Sequence, residues 1–429
     1  MNPLLKELHE RGLISQTFGD LEAVFSKPTT FYIGLDPTAD SLGVHHMVGL
    51  IAAKIMQKHG HRPIILVGGA TCAIGDPSGK TEERKAISME DVFHNVECVK
   101  AQISKILDFN DARENGAIMV NNYDWYRDYK FLDFLRDVGK KITVNYLMAK
   151  ENVKNRISRE GSGISFQEFS YGLLQGYDFV HLYKEFGCKA QIAGTDNLGN
   201  MVTGEALVHK MLGKDDVCGI TWDLITCSDG RKFGKTEGNT VWLDPKKTTP
   251  YQFYQFWLNT DDADAERFIK LFTMLSKEEI DSLIAEHRKA PHLRLLQKRL
   301  AKEVTIMVHS EADYELAVEA SNILFGNATS ETLKKLDDST ILSVFDGVKK
   351  FNVEKKKIID GIKLTDLTVV ESSVFKSKGE LRKLITNGGI SINKEKVTSD
   401  VTINADQLVN DKFILVQQGK KTYTLIVAQ

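Results

Sequence analysis

Up to residue 225 the chain alternates short apolar runs with longer stretches of helical period, and few folds accept that pattern. Runs at 31–35, 64–67, 117–121 and 190–193 read as strands, and 50–58, 92–107, 131–139, 166–183 and 199–212 read as helices. Strands separated by helices pair in parallel and bury both faces of their sheet, with ligands at the carboxyl ends of the strands. The stretch 226–240 is polar and glycine-rich and reads as a loop. From 251 to about 324 the period is helical only, with helices expected at 251–258, 263–274, 277–290, 293–308 and 314–324. Residues 326–362 hold Asn, Ser, Gly and the run Lys355-Lys356-Lys357, and read as a linker with short helical pieces. The last segment, 363–429, places two short helices, at 366–371 and 378–387, before strand-like runs at 390–392, 413–417 and 422–427.

Several function classes fall away. The formal net charge is −2, so any contact with RNA has to come from local patches rather than from the chain as a whole. No apolar run approaches a membrane span, and the first residues mix acid among leucines, unlike a secretory leader. The five cysteines, Cys72, Cys98, Cys188, Cys218 and Cys227, include no close pair. That usage fits a reducing, cytoplasmic setting and argues against a dedicated metal site.

Six segments carry polar residues suited to a ligand. In the first, strand 31–35 runs through the turn Asp36-Pro37-Thr38 into a helix that Asp40 or Ser41 can cap, with His45 and His46 in its first turns. Such a helix N-terminus suits phosphate. In the second, Gly68 and Gly69 let backbone approach a ligand, Asp76 can accept from an ammonium, and Lys80 and Arg84 can reach phosphates. In the third, Tyr171, Gln175 and Asp178 share one helix face, whose polar groups a bound amino acid would satisfy. In the fourth, the acid Asp196 follows a strand-ending turn at Gly194, a pattern that suits ribose hydroxyls. The fifth puts Lys232, Lys235 and Thr236 on a loop where cations can follow charge onto a pyrophosphate leaving group. In the sixth, Lys376, Lys378, Arg382, Lys383, Lys394 and Lys396 would line one region able to meet an RNA backbone. Each segment alone also fits a plain role: a βα connection, a glycine loop, a solvated stripe, a helix cap at Thr195 or Asp196, or a solvated basic face.

In combination the six segments resemble the bacterial-type tyrosyl-tRNA synthetases, class I aminoacyl-tRNA synthetases, over essentially the whole chain. The resemblance rests on Asp36-Pro37-Thr38-Ala39-Asp40-Ser41-Leu42, Gly75-Asp76-Pro77-Ser78 and Lys232-Phe233-Gly234-Lys235-Thr236, with Val241-Trp242-Leu243-Asp244-Pro245 and Tyr254-Gln255-Phe256-Trp257 beside them. It implies a Rossmann-like α/β catalytic domain at 1–225 and a KMSKS-type mobile loop at 226–245. An α-helical anticodon-arm domain at 246–325, a linker at 326–362 and a ribosomal-protein-type α+β RNA-binding domain at 363–429 would follow. It also implies that Tyr32 and Asp178 bond the substrate phenol, while Asp76, Tyr171 and Gln175 hold its ammonium and Asn197 lies near its carboxylate. Gly34, Asp36, Thr38, His46, Gly194, Asp196 and Lys235 would contact ATP. His46, Lys80, Arg84, Lys232, Lys235 and Thr236 would act in the chemistry. The implied substrates are L-tyrosine, ATP with Mg2+ on its phosphates, and tRNA(Tyr); the implied assembly is a homodimer. Two other readings share the scaffold: a tryptophanyl enzyme, and a catalytically weak RNA-binding protein.

The chain departs from the family pattern twice. At the HIGH tetrapeptide it reads Gly43-Val44-His45-His46, where the family usually has histidine at 43 and glycine at 45. Residues two apart on a helix point to nearly opposite sides, so this reading expects His45 to reshape the adenine site, activation to be slow, and Gly43→His to speed it. Second, Asn197-Leu198 stands where many relatives have glutamine and tryptophan, so a contact from the shorter Asn197 would run through water.

Overall fold

The computed structural model describes residues 2–78, 87–110, 112–158, 163–230, 233–236, 239–325, 329–419 and 422–429. They form two compact units, one of 1–244 with 260–308, the other of 245–259 with 309–429.

The first unit is built on a six-stranded sheet. Its strands are β1 (Thr17–Phe18), β2 (Thr30–Leu35), β3 (Arg62–Val67), β4 (Ile118–Asn121), β5 (Ala190–Gly194) and β6 (Cys218–Trp222), in the order β1-β6-β5-β2-β3-β4. All neighbours are parallel except β1, which runs antiparallel to β6. The chain steps from β2 outward through β3 and β4, then returns to the other side of β2 at β5. The strand order therefore reverses between β2 and β5, where a crevice opens beyond their carboxyl ends.

Four of these strands fall within a residue or two of the sequence expectation. The other two, the two-residue β1 and the longer β6, lie outside the expected runs, and β6 is the informative case. It is buried at every position, so it lacks polar–apolar alternation, and Gly219 weakens its strand signal. A Cβ at that glycine would lie 2.1 Å from the Phe18 ring of β1, so any larger residue would have to displace the ring.

The first helix of the site also starts differently. Residues Val44–His46 form a single 3₁₀ turn, and the α-helix proper is Met47–Lys58. Neither Asp40 nor Ser41 caps it. Ser41 Oγ instead donates to the Leu42 carbonyl at 3.0 Å and accepts from the Asp244 N–H at 3.1 Å.

The helical stretch 246–325 divides between the two units. Asp262–Phe272, Lys277–Lys289 and Leu295–Val308 belong to the first. There the buried Arg11 guanidinium donates to the carbonyls of Lys270, Thr273 and Leu275. Pro250–Leu258 belongs to the second unit, where Gln255 donates to Ser321 at 2.9 Å on the helix Glu311–Phe325.

The expected linker contains a sheet strand. Lys349–Val353 pairs in parallel with Thr422–Ala428, completing a five-stranded sheet with Phe413–Gln418, Ile390–Ile392 and Glu395–Lys396. The sheet is buried on both faces: Ile414, Val416 and Ile426 enter one core cluster, while Phe413, Leu415, Leu425 and Val427 enter another. Period-two alternation between two cores explains why these strands read as continuous apolar runs.

Candidate active site

The crevice between β2 and β5 holds a cavity of about 420 Å³. Tyr32, Gly34, Asp36 and Thr38 line it from β2 and its turn, Gln191, Gly194 and Asp196 from β5, and Tyr171, Gln175 and Asp178 from the helix Phe166–Phe186. Asp76, Asn197, His45, His46, Thr240 and Trp242 also line it.

Burial sets the chemistry at the inner end. Asp178 is 1% exposed, and desolvation raises its carboxyl to about 7 against the opposing pull of Asn122 and Trp125. Tyr32 is equally buried, and its phenol oxygen has no hydrogen-bond partner among the described residues. Desolvation first, then the nearby Asp178 charge, push its pKa well up, so it remains a donor. A buried hydroxyl without a partner, aimed into a cavity, is a position for a ligand's polar atom.

A hydrogen-bond chain links the acids. Tyr171 donates to Asp36 Oδ2 and Thr71 to Asp36 Oδ1, each at 2.8 Å. Asn122 Nδ2 lies 3.0 Å from Thr71 Oγ1 and 3.2 Å from Asp178 Oδ2. Gly68 permits this approach, since a Cβ there would stand 2.1 Å from Asp36 Oδ1. The buried Tyr171 phenol feels the charges of Asp36, Asp76 and Asp178 after desolvation, and all push its pKa up. Their shared field makes this part of the cavity a seat for a cation.

Beside it, Gln175 donates to Asn197, which reaches Asp76 Oδ2 at 3.4 Å. Asn200 donates to Gln175 Oε1 at 2.9 Å. Asn197 thus bridges two of the proposed ammonium ligands directly. Thr195 donates to the Trp222 carbonyl at 2.8 Å, the N-cap residue Asn197 of the helix Leu198–Leu212 makes no side-chain cap bond, and Asp196 lines the cavity.

The loop after residue 226 meets the first motif through backbone. Val44 N–H donates to the Val241 carbonyl at 3.0 Å and Leu243 N–H to the Leu42 carbonyl at 2.8 Å. Phe233 anchors the loop between Phe268 and Phe272, and Lys235 is exposed. Lys80, Arg84 and Lys232 lie outside the described residues, as does the Thr236 side chain.

A family model for class I tRNA synthetases (W and Y) matches residues 26–326, and one for the tyrosine–tRNA ligase SYY-like C-terminal domain matches 340–426. A tyrosine–tRNA ligase of Bacteroides fragilis is 54% identical, covering 99% of both chains. The chain belongs to the tyrosine–tRNA ligase family. A ligase of Flavobacterium johnsoniae is 51% identical over the same 99% of each chain. Among solved structures, a C-terminally truncated mitochondrial tyrosyl-tRNA synthetase of Aspergillus nidulans superposes with TM-score 0.68 at 30% identity, covering 76% of this chain and 95% of that one. As in the family, a class I catalytic fold is followed by a C-terminal domain containing a sheet. The matched C-terminal region starts at 340, so it takes in the strand Lys349–Val353 that the sequence reading left in a linker.

Of the tail cations, Lys376, Lys378, Arg382, Lys383 and Lys396 are exposed. Lys394 is not part of that surface: its ammonium donates to the Ile323 carbonyl at 2.5 Å and to Tyr423 Oη at 2.8 Å. Sequence reasoning missed Asn122, Trp125, Asn200 and Gln191. Only Gln191 carried a signal, a polar residue inside an apolar strand. No helix among the described residues is long and apolar enough to cross a membrane.

Proposed function

We propose that the cavity binds L-tyrosine with its phenol between Tyr32 and Asp178 and ATP across the ends of β2 and β5. The observation that carries this reading is the buried Tyr32 hydroxyl, without a hydrogen-bond partner among the described residues, beside a buried carboxylate. A phenol satisfies both, accepting from Tyr32 and donating to Asp178. Phenylalanine leaves both unpaired, and tryptophan's indole N–H cannot accept. The ammonium sits among Asp76, Tyr171 and Gln175. Gly34 leaves open space where a Cβ would meet nothing nearer than Leu66 at 4.0 Å, and Asp36, Thr38, His46, Gly194 and Asp196 line the room for ATP.

The tyrosine carboxylate attacks the α-phosphorus, a new P–O bond forms, and the bond to the β-phosphate oxygen breaks. A carboxylate is ionised at neutral pH, so the step needs no general base. The protein's task is to align reactants and offset charge. Lys80, Arg84, Lys232, Lys235 and Thr236 are assigned to the departing pyrophosphate, which arrives as the Mg2+ complex of ATP. A terminal ribose hydroxyl of tRNA(Tyr) then attacks the tyrosyl carbonyl carbon of the adenylate, the new ester C–O bond forms, and the carbonyl bond to the phosphate oxygen breaks with loss of AMP. The exposed tail cations, with the helical segment before them, contact that RNA in the cytoplasm. The chain pairs as a homodimer through Phe131, Leu132, Val144 and Met148, which are 64%, 75%, 60% and 44% exposed.

Amino-acid-dependent ATP–pyrophosphate exchange tests the reading. Exchange with tyrosine, and not with phenylalanine or tryptophan, is expected. Exchange with tryptophan in preference to tyrosine would reject the phenol assignment.

A further inference from the structure

We propose that His45, beside His46, presents an imidazole to ATP, and that residue 43 is glycine because the His45 ring occupies the space beside it. The proposal rests on the ATP site read above.

The backbone does not require glycine at 43. Its φ of −87° and ψ of 162° are extended, which any residue adopts. The obstacle is a side chain: a Cβ at 43 would lie 2.8 Å from both Cε1 and Nδ1 of His45 and 3.1 Å from Thr240 Cγ2. The ring of residue 45 has folded back along the turn, as helical side chains lean toward the N-terminus.

The ring is bracketed on other sides too. The His46 ring lies 3.9 Å away, tilted by 39°. The left-handed Gly234, at φ +82°, passes so near that a Cβ there would be 2.9 Å from Val44 Cγ2 and 3.8 Å from His45 Nδ1. The Gly43 N–H donates to His46 Nδ1 at 3.1 Å, which puts the proton of a neutral His46 on Nε2. Both imidazoles line the cavity shared with Asp36, Thr38, Gly194 and Asp196.

Gly43 and His45 are therefore one coupled unit. The imidazole from 45 takes the volume that a residue 43 side chain would fill, so the exchange of residues works as a relocation after all. Gly43→His alone adds a clash rather than restoring a contact.

The test is a double-mutant cycle on the full chain: wild type, Gly43→Ala, His45→Ala and the double variant, followed by tyrosine-dependent pyrophosphate exchange and thermal melting. The conflicting atoms belong to the end of a side chain, so Gly43→Ala displaces the ring without unfolding the turn. Each single variant is expected to lower kcat about 10²-fold, with tyrosine KM and melting temperature unchanged. The double variant is expected to be no slower than His45→Ala. An unchanged rate in His45→Ala, or an equal Gly43→Ala effect with and without His45, would overturn the proposal while leaving the ligase reading intact. A folded wild type that exchanged nothing with tyrosine would overturn both.

Discussion

The indole N–H of Trp125 donates to Asp178 Oδ1 at 3.0 Å, while Asn122 holds the other carboxylate oxygen. These bonds fix the direction of a buried acid and offset part of its desolvation. Trp125→Phe removes one donor. A hydrogen bond to a charged group is worth about 1.5–3 kcal/mol, so tyrosine KM should rise at least ~10-fold while ATP KM holds. Steady-state exchange at varied tyrosine and ATP measures both.

Tyrosine affinity should depend on pH. Burial raises the Asp178 carboxyl from 3.8 to about 7, and its ionised form is the stronger acceptor for the substrate's phenolic O–H. Titrations should show affinity falling as pH drops below 7. For folding the sign is opposite: a raised carboxyl stabilises the unliganded fold below about 4, and that contribution is lost as pH rises through 7. Asp178→Asn should flatten the binding profile; a profile as steep as wild type would assign the titration to another group.

Arg156 and Glu168 form a buried bidentate pair at 2.8 and 3.1 Å, with side chains 4% and 3% exposed. Glu168 lies in the first turn of the helix that carries Tyr171, Gln175 and Asp178. Arg156→Ala strands a buried carboxylate and should reduce stability by about 3–5 kcal/mol, more than Glu168→Gln does. Denaturant melts of the two variants give the comparison.

The apolar side chains of Phe131–Asp137 and Val144–Met148 stand exposed where monomers seldom tolerate a cluster. Phe131→Asp with Leu132→Glu should shift sedimentation from dimer to monomer. Wild type that sediments as a monomer at micromolar concentration would remove the dimer from the account.

Charge reversal at Lys376, Arg382 and Lys383, all exposed, should weaken tRNA binding and flatten its salt dependence without slowing pyrophosphate exchange. The same change at Lys394 should instead destabilise the fold, because that ammonium is bonded to Ile323 and Tyr423.

The face holding Tyr171, Gln175 and Asp178 was legible because helical spacing alone puts those positions together. Asp36, Asp76 and Asp196 were legible through their motifs. Asn122 and Trp125 were not: they follow the outer strand β4 in an ordinary polar stretch, and only the parallel pairing of β4 with β3 brings them beside Asp178. Strand β6 was lost because burial on both faces erases alternation.

By itself the sequence determined that strands alternate with helices, that the motifs come in synthetase order, and which residue types each motif offers. These are local properties, set by periodicity and turn chemistry. Tertiary structure decided that β5 lies against β2, which brings Asp196 to the cavity of Asp36, and that Lys394 turns inward. It also decided that His45 stands where a side chain at 43 would have been. Those outcomes depend on close packing between distant segments, and in a packed interior the volume one side chain takes is denied to its neighbour.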